Sequence, residues 1–372
     1  MRVATSIDAF TADELDALGD CLYGKGYLTF VEAEQGARSR PYYFYERDEA
    51  GLAAFTSGYV YLSHIPLTFR LEEFLPADVT ASLSRLPGRS LVLNTPIRLR
   101  SRVFARDPAG QVELLEAIVD WAREQGLAAV VLSFVLGSDE MLRRSLAEAG
   151  FASAFYEGDF YLPLDAADMG EFLRGLDPGP RKQFRNDINR LRRSDVRIEL
   201  LTHPSRLAAE LADHYESLMG KYGQSGYELN EESFRRFERV PEGKLVVALA
   251  GSEILGFAIS IAGHGVFHLL RYGRRGDAGE WARVYSNLVY VESVAQAIAL
   301  GCRRVHFGKA SHRTKTLRGC LYEEGLAYAR FVDEREHEQL TAAFARIDPV
   351  NREQFDRLVR GLEPAPVEGA PA

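Results

Sequence analysis

The same order of predicted elements occurs twice along this chain of 372 residues, and the repeat restricts the fold more than any other feature. In each half, helices come first and an antiparallel meander of strands follows. A helix, a strand, more helix or loop and a final strand come next. Short β-branched or alternating apolar runs indicate the strands, and apolar residues at helical spacing indicate the helices. We therefore predict the α/β fold class, with mixed α+β sheets in two similar domains.

The elements of the first half are bounded by turn residues and helix caps. Its strands are predicted at Pro41–Tyr45, Ala53–Leu62, Ser90–Leu93, Leu127–Val135 and Phe151–Leu164. Its helices are predicted at Asp13–Leu18, Tyr27–Glu34, Gln111–Gln125 and Ser138–Ala149.

The second half follows the same pattern after a helical stretch at Ala166–Leu176. Its strands are predicted at Val196–Leu201, Lys244–Ala250, Ile254–Ala262, Val266–Tyr272, Val305–Phe307 and Leu326–Val332. Its helices are predicted at His203–Tyr222, Ser233–Phe237 and Trp281–Leu300.

A break at Asp177–Pro180 and a basic segment at Arg181–Arg193 separate the halves. We predict an N-terminal domain over 1–165 and a basic linker helix over 166–195. A catalytic domain is predicted over 196–345, and a C-terminal helix with a disordered tail over 346–372.

Bulk properties exclude several classes of protein. The net charge is −8, so any nucleic-acid contact needs a local basic patch. The three cysteines are far apart and form no CxxC pair, which favours a reducing cytoplasm over a disulfide framework. The N-terminal residues lack the apolar stretch of a signal peptide, and no apolar run is long enough to span a bilayer. No metal site is expected, because no HxxxH or HxH pair lies near a carboxylate in the sequence.

The segment Phe307–Gly319 (FGKASHRTKTLRG) holds the strongest candidate for chemistry. It follows a predicted strand and carries two lysines, two arginines and a histidine between two glycines. Such a loop suits an anionic ligand or a developing oxyanion. The candidate residues are Lys309, His312, Lys315, Arg318 and Gly319, and the alternative is a solvated basic loop that caps a strand.

Two further groups contain polar residues next to apolar ones. Arg271 and Tyr272 end an apolar strand, where a charge is costly unless it is paired, for instance with Asp277. The helix that starts at Trp281 presents Tyr285, Asn287 and Tyr290 near its beginning, which are candidates for a cleft or for packing.

The segment Arg181–Arg193 has six basic residues and one acidic residue. Helical spacing puts Phe184 and Ile188 on one stripe and most arginines, including Arg190 and Arg193, elsewhere on the surface. This pattern is typical of a solvated face, and it also suits salt-dependent, sequence-independent contact with an RNA backbone.

Two such halves in one chain resemble the Fem peptidyltransferases and the related FemAB-like and CelD-like acyltransferases of the GNAT superfamily. The resemblance covers roughly residues 1–345 and is most specific over Ile254–Gly319. It implies two tandem GNAT-like domains with a substrate cleft at the second domain. It also implies that Lys315 faces the acyl donor, although Leu317 stands where the family commonly has an aromatic residue.

The resemblance further implies the reaction, in which an amine attacks an activated acyl donor to give an amide or, less often, an ester. Lys315 would stabilise the oxyanion or a donor phosphate, with His312 as a second catalytic candidate. Lys309, Arg318, Gly319, Arg190 and Arg193 would bind the donor, and Arg271, Tyr272, Tyr285, Asn287 and Tyr290 would bind the acceptor. No general base stands out.

The donor is expected to be aminoacyl-tRNA, because Fem-type enzymes use it, and no other cofactor is expected. Acyl-CoA GNAT enzymes place an R/Q-x-x-G-x-G/A loop after a strand and before a helix, where backbone N–H groups hold the pyrophosphate. The nearest match, Arg85–Ser90, precedes a strand. The partners would be the tRNA acceptor end and a small amine from cell-wall or specialised metabolism, bound by a monomer or a dimer. An acyl-CoA-dependent N-acyltransferase and a non-catalytic RNA-binding protein of the same fold are the alternatives.

Overall fold

Thirteen strands form one continuous mixed sheet in the computed structural model, which describes residues 1–62, 90–98, 100–221 and 229–361. The strands are β1 Arg2–Ala4, β2 Ser39–Asp48, β3 Gly51–Tyr61, β4 Ser90–Leu93, β5 Phe104–Ala105, β6 Ala129–Leu136, β7 Ala152–Pro163, β8 Val196–Leu200, β9 Gly243–Ala250, β10 Glu253–Gly263, β11 Val266–Arg274, β12 Arg304–Gly308 and β13 Leu321–Phe331. Their order is β1-β2-β3-β4-β6-β13-β7-β12-β11-β10-β9-β8, and β5 pairs with β3.

The helices cover both faces of this sheet. They are α1 Ala12–Asp16, α2 Lys25–Gln35, α3 Pro108–Glu124, α4 Glu140–Glu148, α5 Met169–Gly175, α6 Pro178–Arg192, α7 Ala208–Lys221, α8 Glu231–Phe237, α9 over 284–299, α10 His312–Thr316 and α11 Glu334–Val359. Short 3-10 turns lie at Ile7–Ala9, Cys21–Tyr23, Gly36–Arg38, Pro204–Leu207 and Glu280–Ala282. No helix in the described ranges is long and apolar enough to cross a membrane.

The two halves exchange their last strands. Strand β13 from the second half lies between β6 and β7 of the first, and β7 pairs antiparallel with β12 of the second half. The exchanged strands also pair with each other, with Gly325 opposite Glu157. The N-terminal lobe therefore consists of β1–β6 with β13, and the C-terminal lobe of β8–β12 with β7. The predicted α/β class with two similar halves is confirmed, although the two halves share one continuous mixed sheet. The domain boundaries at 165, 195 and 345 remain predictions.

Each lobe contains one parallel strand pair that opens after three residue pairs. In the N-terminal lobe, β4 and β6 pair only from Ser90 with Ala129 to Val92 with Val131. In the C-terminal lobe, β11 and β12 pair only up to His268 with His306, and β11 then continues alongside β10. The carboxyl ends of these strands diverge, so each lobe has a wedge-shaped opening. Because β6 and β12 run in opposite directions across β13 and β7, the two openings face opposite edges of the sheet.

Helix α9 is not α-helical throughout, since a π-helical turn at Asn287–Glu292 separates its two ends. An extra residue per turn rotates the following side chains relative to a regular helix. Accordingly, Val291 and Ala295 are only half-buried, while Val294 and Ala297 are buried.

Two other predicted elements start at the wrong residue. The last strand begins at Leu321 rather than Leu326, because the polar residues that open it pair with β7. The C-terminal helix α11 begins at Glu334, well before residue 346, and its Phe355 packs over Gly158, where a Cβ would come within 2.3 Å of the ring. The Arg85–Ser90 match lies almost wholly outside the described residues, as does the predicted tail after Pro364.

Candidate active site

Strand β12 ends in a turn in which three of the four residues over 308–311 have positive φ angles. Gly308, Ala310 and Ser311 have φ angles of 75°, 65° and 52°. Left-handed conformations at non-glycine residues cost energy and are concentrated at functional sites. The turn leads directly into α10, so that the end of β12 and the residues of α10 face each other.

Lys315 holds this turn from the inside. Its side chain is 3% exposed, and its Nζ donates to the carbonyl oxygens of Gly308 at 2.6 Å and Lys309 at 2.8 Å. The ammonium also lies 5.2 Å from the centre of the Phe160 ring. Burial lowers the pKa of Lys315 to about 8. Two of its three N–H donors are thus committed to the backbone, and one remains for a ligand.

Lys309 follows the strand end and is half-buried. Its Nζ donates to the hydroxyl of Tyr156 on β7 and lies 4.6 Å above the same ring. Burial lowers the pKa of Lys309 to about 8, and the nearby positive charge of Arg271 acts in the same direction. The site therefore contains two lysines that give up a proton more readily than a lysine in water.

His312 pairs with a carboxylate that also comes from β7. Its Nε2 lies 2.8 Å from Oε1 of Glu157, and its ring packs against Phe160 and Phe355. Sequence analysis missed both Tyr156 and Glu157, because it treated β7 only as the last strand of the first half. The exchange of strands brings them to the second half.

Arg318 and Gly319 close the turn after α10 against helix α6. The Arg318 guanidinium is 7% exposed and donates to Asp187 at 2.9 Å and to Ser286 at 2.7 Å. Gly319 has a φ of 76°, and a Cβ there would lie 3.2 Å from Pro180. The structure therefore places both predicted donor-binding residues in packing contacts with α6 and α9.

Aromatic rings fill the opening between β11 and β12. Tyr272 contacts Tyr285 at 5.0 Å, Tyr285 contacts Tyr290 at 6.0 Å, and Tyr290 contacts Phe307 at 5.0 Å between ring centroids. Tyr272 and Tyr285 are half-buried, whereas Tyr290 is fully buried. The first two remain candidates for contact with a substrate, and Tyr290 packs beneath them.

Two other predicted acceptor residues have backbone partners. The Asn287 amide is buried and donates to the carbonyl oxygen of Asp187 at 2.9 Å, which ties the π-helical turn to α6. Arg271 is half-buried and donates to the carbonyl oxygen of Leu270. Asp277, which the sequence suggested as the partner of Arg271, instead pairs with Lys221 and lies near Arg274.

Arg190 and Arg193 lie on the solvent side of α6, away from its buried residues Phe184 and Asp187. Within the described ranges, neither arginine makes an ion pair. The exposed basic residues of this segment are Lys182, Arg185, Arg190, Arg192 and Arg193. They form a basic face that is separate from the turn after β12.

A buried charged cluster lies beside the turn. Arg98 donates to both carboxylate oxygens of Asp159, at 2.7 and 2.9 Å, and His306 Nδ1 lies 2.7 Å from the same carboxylate. Burial alone would raise the pKa of Asp159, but Arg98 and His306 hold it far below its usual range. His268 stacks on His306 at 5.1 Å, and burial lowers the pKa of both imidazoles. A Cβ at Gly308 would lie 2.5 Å from Arg98, so the turn and the cluster are in contact.

The described residues bring together one group of metal-ligating types that sequence spacing did not suggest. Asp20, Cys21 and His268 are buried and present ligand atoms within 4.8 Å of one another. The Asp20 carboxylate already accepts from the backbone N–H of Leu22 and pairs with Arg102 at 3.1 Å. These contacts account for its charge without an ion.

The loop between β11 and α9 follows a strand and precedes a helix, the context in which acyl-CoA GNAT enzymes hold pyrophosphate. It contains Gly276 and Gly279, with φ angles of 52° and 73°. Several of its backbone N–H groups are already bonded, including that of Gly276 to Ser217 Oγ. The N–H groups of residues 278, 280, 282, 283 and 284 donate within the loop. Arg274 pairs with the exposed carboxylates of Asp277 and Glu280, and the loop also carries two exposed arginines, Arg275 and Arg283. Sequence analysis passed over this loop.

Residues 180–316 match the acetyltransferase (GNAT) domain family. This stretch of the chain is similar to GNAT domains. The matched range includes α6, the opening of the C-terminal lobe and the turn after β12, and so this turn belongs to the GNAT domain. No curated protein sequence matches the chain.

Solved structures share the fold of this chain across both lobes at low sequence identity. FemX superposes with a TM-score of 0.59 at 11% identity, covering 92% of this chain and 100% of FemX. The C-terminal domain of a putative lysylphosphatidylglycerol synthetase from Agrobacterium fabrum has a TM-score of 0.57 at 11% identity, covering 90% and 96%. L-PGS from Bacillus licheniformis has a TM-score of 0.57 at 11% identity, covering 90% and 97%.

Proposed function

We propose that this GNAT protein is an aminoacyltransferase that takes its acyl group from aminoacyl-tRNA and transfers it to a small amine. The donor assignment rests on the hydrogen bonding of the loop between β11 and α9. Six of the ten backbone N–H groups from Arg275 to Val284 are already bonded, whereas a pyrophosphate at such a loop needs free N–H groups. A donor held outside this loop fits the site better than acyl-CoA.

The proposed reaction forms a C–N bond and breaks the ester C–O bond that joins the amino acid to the tRNA. The amine attacks the carbonyl carbon, the tetrahedral oxyanion collapses, and the tRNA hydroxyl leaves with the proton that the amine gives up. Lys315 and Lys309 would supply the positive charge that stabilises the oxyanion, since both ammonium groups are held at the turn after β12. The donor is already activated, and positioning supplies much of the rate.

Three parts of the C-terminal lobe would bind and orient the substrates. Tyr272, Tyr285 and Arg271 would contact the acceptor in the opening between β11 and β12. The His312–Glu157 pair would receive the proton from the amine, because it lies at the same turn as the lysines. The basic face of α6 would contact the tRNA backbone. Cell-wall and specialised metabolism are the proposed sources of the acceptor.

An acyl-CoA-dependent N-acyltransferase is the second candidate, and the description of the matched family favours it. A donor screen separates the two. Charged tRNAs and acyl-CoAs are each incubated with the protein and one panel of amines. Free tRNA is measured in the first set and released thiol, with a thiol reagent, in the second. We expect amine-dependent release of free tRNA. Thiol release without tRNA release would replace the proposed donor by acyl-CoA.

A further inference from the structure

A cavity of about 160 Å³ lies at the opening of the N-terminal lobe, where the carboxyl ends of β4 and β6 diverge. It contains none of the residues assigned to the reaction above. Its walls are formed by Arg100, Ser101, Arg102, Leu136, Ser138 and Asp139.

Among the charged side chains of this wall, Arg100 makes the fewest hydrogen bonds to the described residues. Its side chain is 15% exposed, and its Nε is buried without a hydrogen bond. Its nearest carboxylate oxygen, Oδ2 of Asp20, lies 3.9 Å from Nε, beyond hydrogen-bonding distance. Within the described residues its guanidinium donates no hydrogen bond. A guanidinium offers five N–H donors, and a charge that is buried without hydrogen bonds is costly.

The neighbouring groups add donors to the same wall. Ser101 is 1% exposed, and its hydroxyl has no hydrogen-bond partner in the described part of the chain. Arg102 pairs with Asp20 at 3.1 Å and lies 3.6 Å from Asp139, yet its Nε is also without a hydrogen bond there. Buried polar groups in native proteins are nearly always bonded, and exceptions point to a missing ligand or water. The carboxylates of the cavity are therefore engaged, whereas Arg100, which has only the long ion pair to Asp20, donates to no acceptor among the described residues.

We propose that this cavity binds an oxyanion group, a carboxylate or a phosphate ester, carried by the amine acceptor. The Arg100 guanidinium would bind two oxygens of such a group side by side, as guanidinium groups do with carboxylates and phosphates. The acceptor would thus be an anionic amine. Assignment of the group to the acceptor rests on the proposed function, whereas binding of the oxyanion does not.

The cavity is close enough to the turn after β12 to share a substrate with it. The backbone N–H of Ser101 donates to the carbonyl oxygen of Phe134 on β6. The Phe134 ring lies 5.8 Å from the ring of Tyr156, whose hydroxyl accepts from Lys309 at the turn. One molecule could extend from the Arg100 cavity to the lysines.

Matched ligand pairs test the proposal without any donor. Phosphoethanolamine is compared with ethanolamine, and β-alanine with propylamine, by titration calorimetry of the full chain. We expect the phosphate or the carboxylate member to bind measurably and the member without an anion to bind at least tenfold more weakly. The pair that shows this difference identifies the phosphate or the carboxylate as the group that is recognised.

Three variants locate the binding. Arg100→Gln should weaken binding of the anionic ligand at least tenfold. Arg106→Gln changes an exposed arginine that pairs with Asp48 and should leave this binding unchanged. Ser138→Glu puts a negative charge at the exposed rim of the cavity and should also weaken binding of the anionic ligand. This variant keeps the test valid if Arg100→Gln does not fold. Equal binding within both ligand pairs, or unchanged binding by Arg100→Gln or Ser138→Glu, would overturn the proposal. Anion binding without any transfer would overturn the proposed function alone.

Discussion

The Arg318 guanidinium donates to the Asp187 carboxylate across 2.9 Å, and both side chains are at least nine-tenths buried. The pair joins the turn after α10 to helix α6, on the face of α6 opposite to its exposed arginines. Arg318 also lies 4.3 Å from the centre of the Tyr290 ring. The guanidinium therefore holds the active-site turn against α6 and α9. Asp187 is the one acidic residue in the basic segment Arg181–Arg193.

We expect Arg318→Met to lower the free energy of unfolding by about 3 kcal/mol, because it leaves the Asp187 carboxylate buried without its partner. The double variant Arg318→Met/Asp187→Leu should recover most of this loss, since it removes both buried charges. Urea unfolding of the wild type and the three variants measures these differences. A double variant as unstable as the sum of the single variants would contradict the ion-pair account.

Gly308→Ala should be markedly more destabilising than Gly301→Ala. Both glycines have positive φ angles, 75° and 66°, but a Cβ at Gly301 meets nothing within 4 Å while one at Gly308 meets Arg98 at 2.5 Å. Gly301→Ala should cost about 1 kcal/mol from the backbone alone. Gly308→Ala should cost at least about 2 kcal/mol more, because Arg98 would have to leave Asp159. Equal losses in urea unfolding would show that the close contact between the turn and the cluster is absent.

The strand exchange shows what the sequence could not specify. Apolar patterning placed most strands within a few residues, and Ser90–Leu93 matches its observed range. Patterning records which residues are buried and not which strand lies beside them, so it could not reveal that β13 separates β6 from β7. The same limit hid Tyr156 and Glu157, which lie far in sequence from the lysine and histidine that they contact. Arg318 and Asn287 were assigned from resemblance and residue type, and neither indicates a packing partner.

The lowered pKa of Lys315 predicts an unusual dependence of stability on pH. The side chain loses its proton near pH 8 in the folded protein and at its ordinary value of 10.5 in the unfolded chain. Between these values the unfolded state binds more protons, and so the contribution of Lys315 to the unfolding free energy rises with pH. Burial of the ammonium is the physical cause.

Lys315→Met isolates this contribution, because other groups titrate equally in both proteins. The difference in unfolding free energy, wild type minus Lys315→Met, should increase from about pH 8 to pH 10 in chemical denaturation. A difference that stays constant or falls over this range would mean that the ammonium keeps its ordinary pKa and is exposed to water.

Neutralising Arg190 and Arg193 should reduce the salt dependence of tRNA binding. Each lost phosphate contact lowers the slope of log K against log salt by about 1, and so the double variant Arg190→Gln/Arg193→Gln should lose about 2. The control Arg123→Gln/Arg144→Gln removes the same charge from exposed positions on α3 and α4. Filter binding from low to moderate salt provides the slopes. Identical slopes for the two double variants would remove α6 from the tRNA contact.

We propose that the aminoacyl group passes from tRNA to a small amine at the turn after β12. The most direct measurement is mass spectrometry of the products formed from tRNAs charged with ¹⁵N-labelled amino acids and a panel of amines. Wild type and Lys309→Met are compared under the same conditions. The account predicts a labelled amide with the wild type and at least a hundredfold less with Lys309→Met, since a positioned oxyanion-stabilising group contributes about 100-fold or more to rate. Undiminished product with Lys309→Met, or no labelled product from any charged tRNA together with an unlabelled amide formed from acyl-CoA, would contradict it.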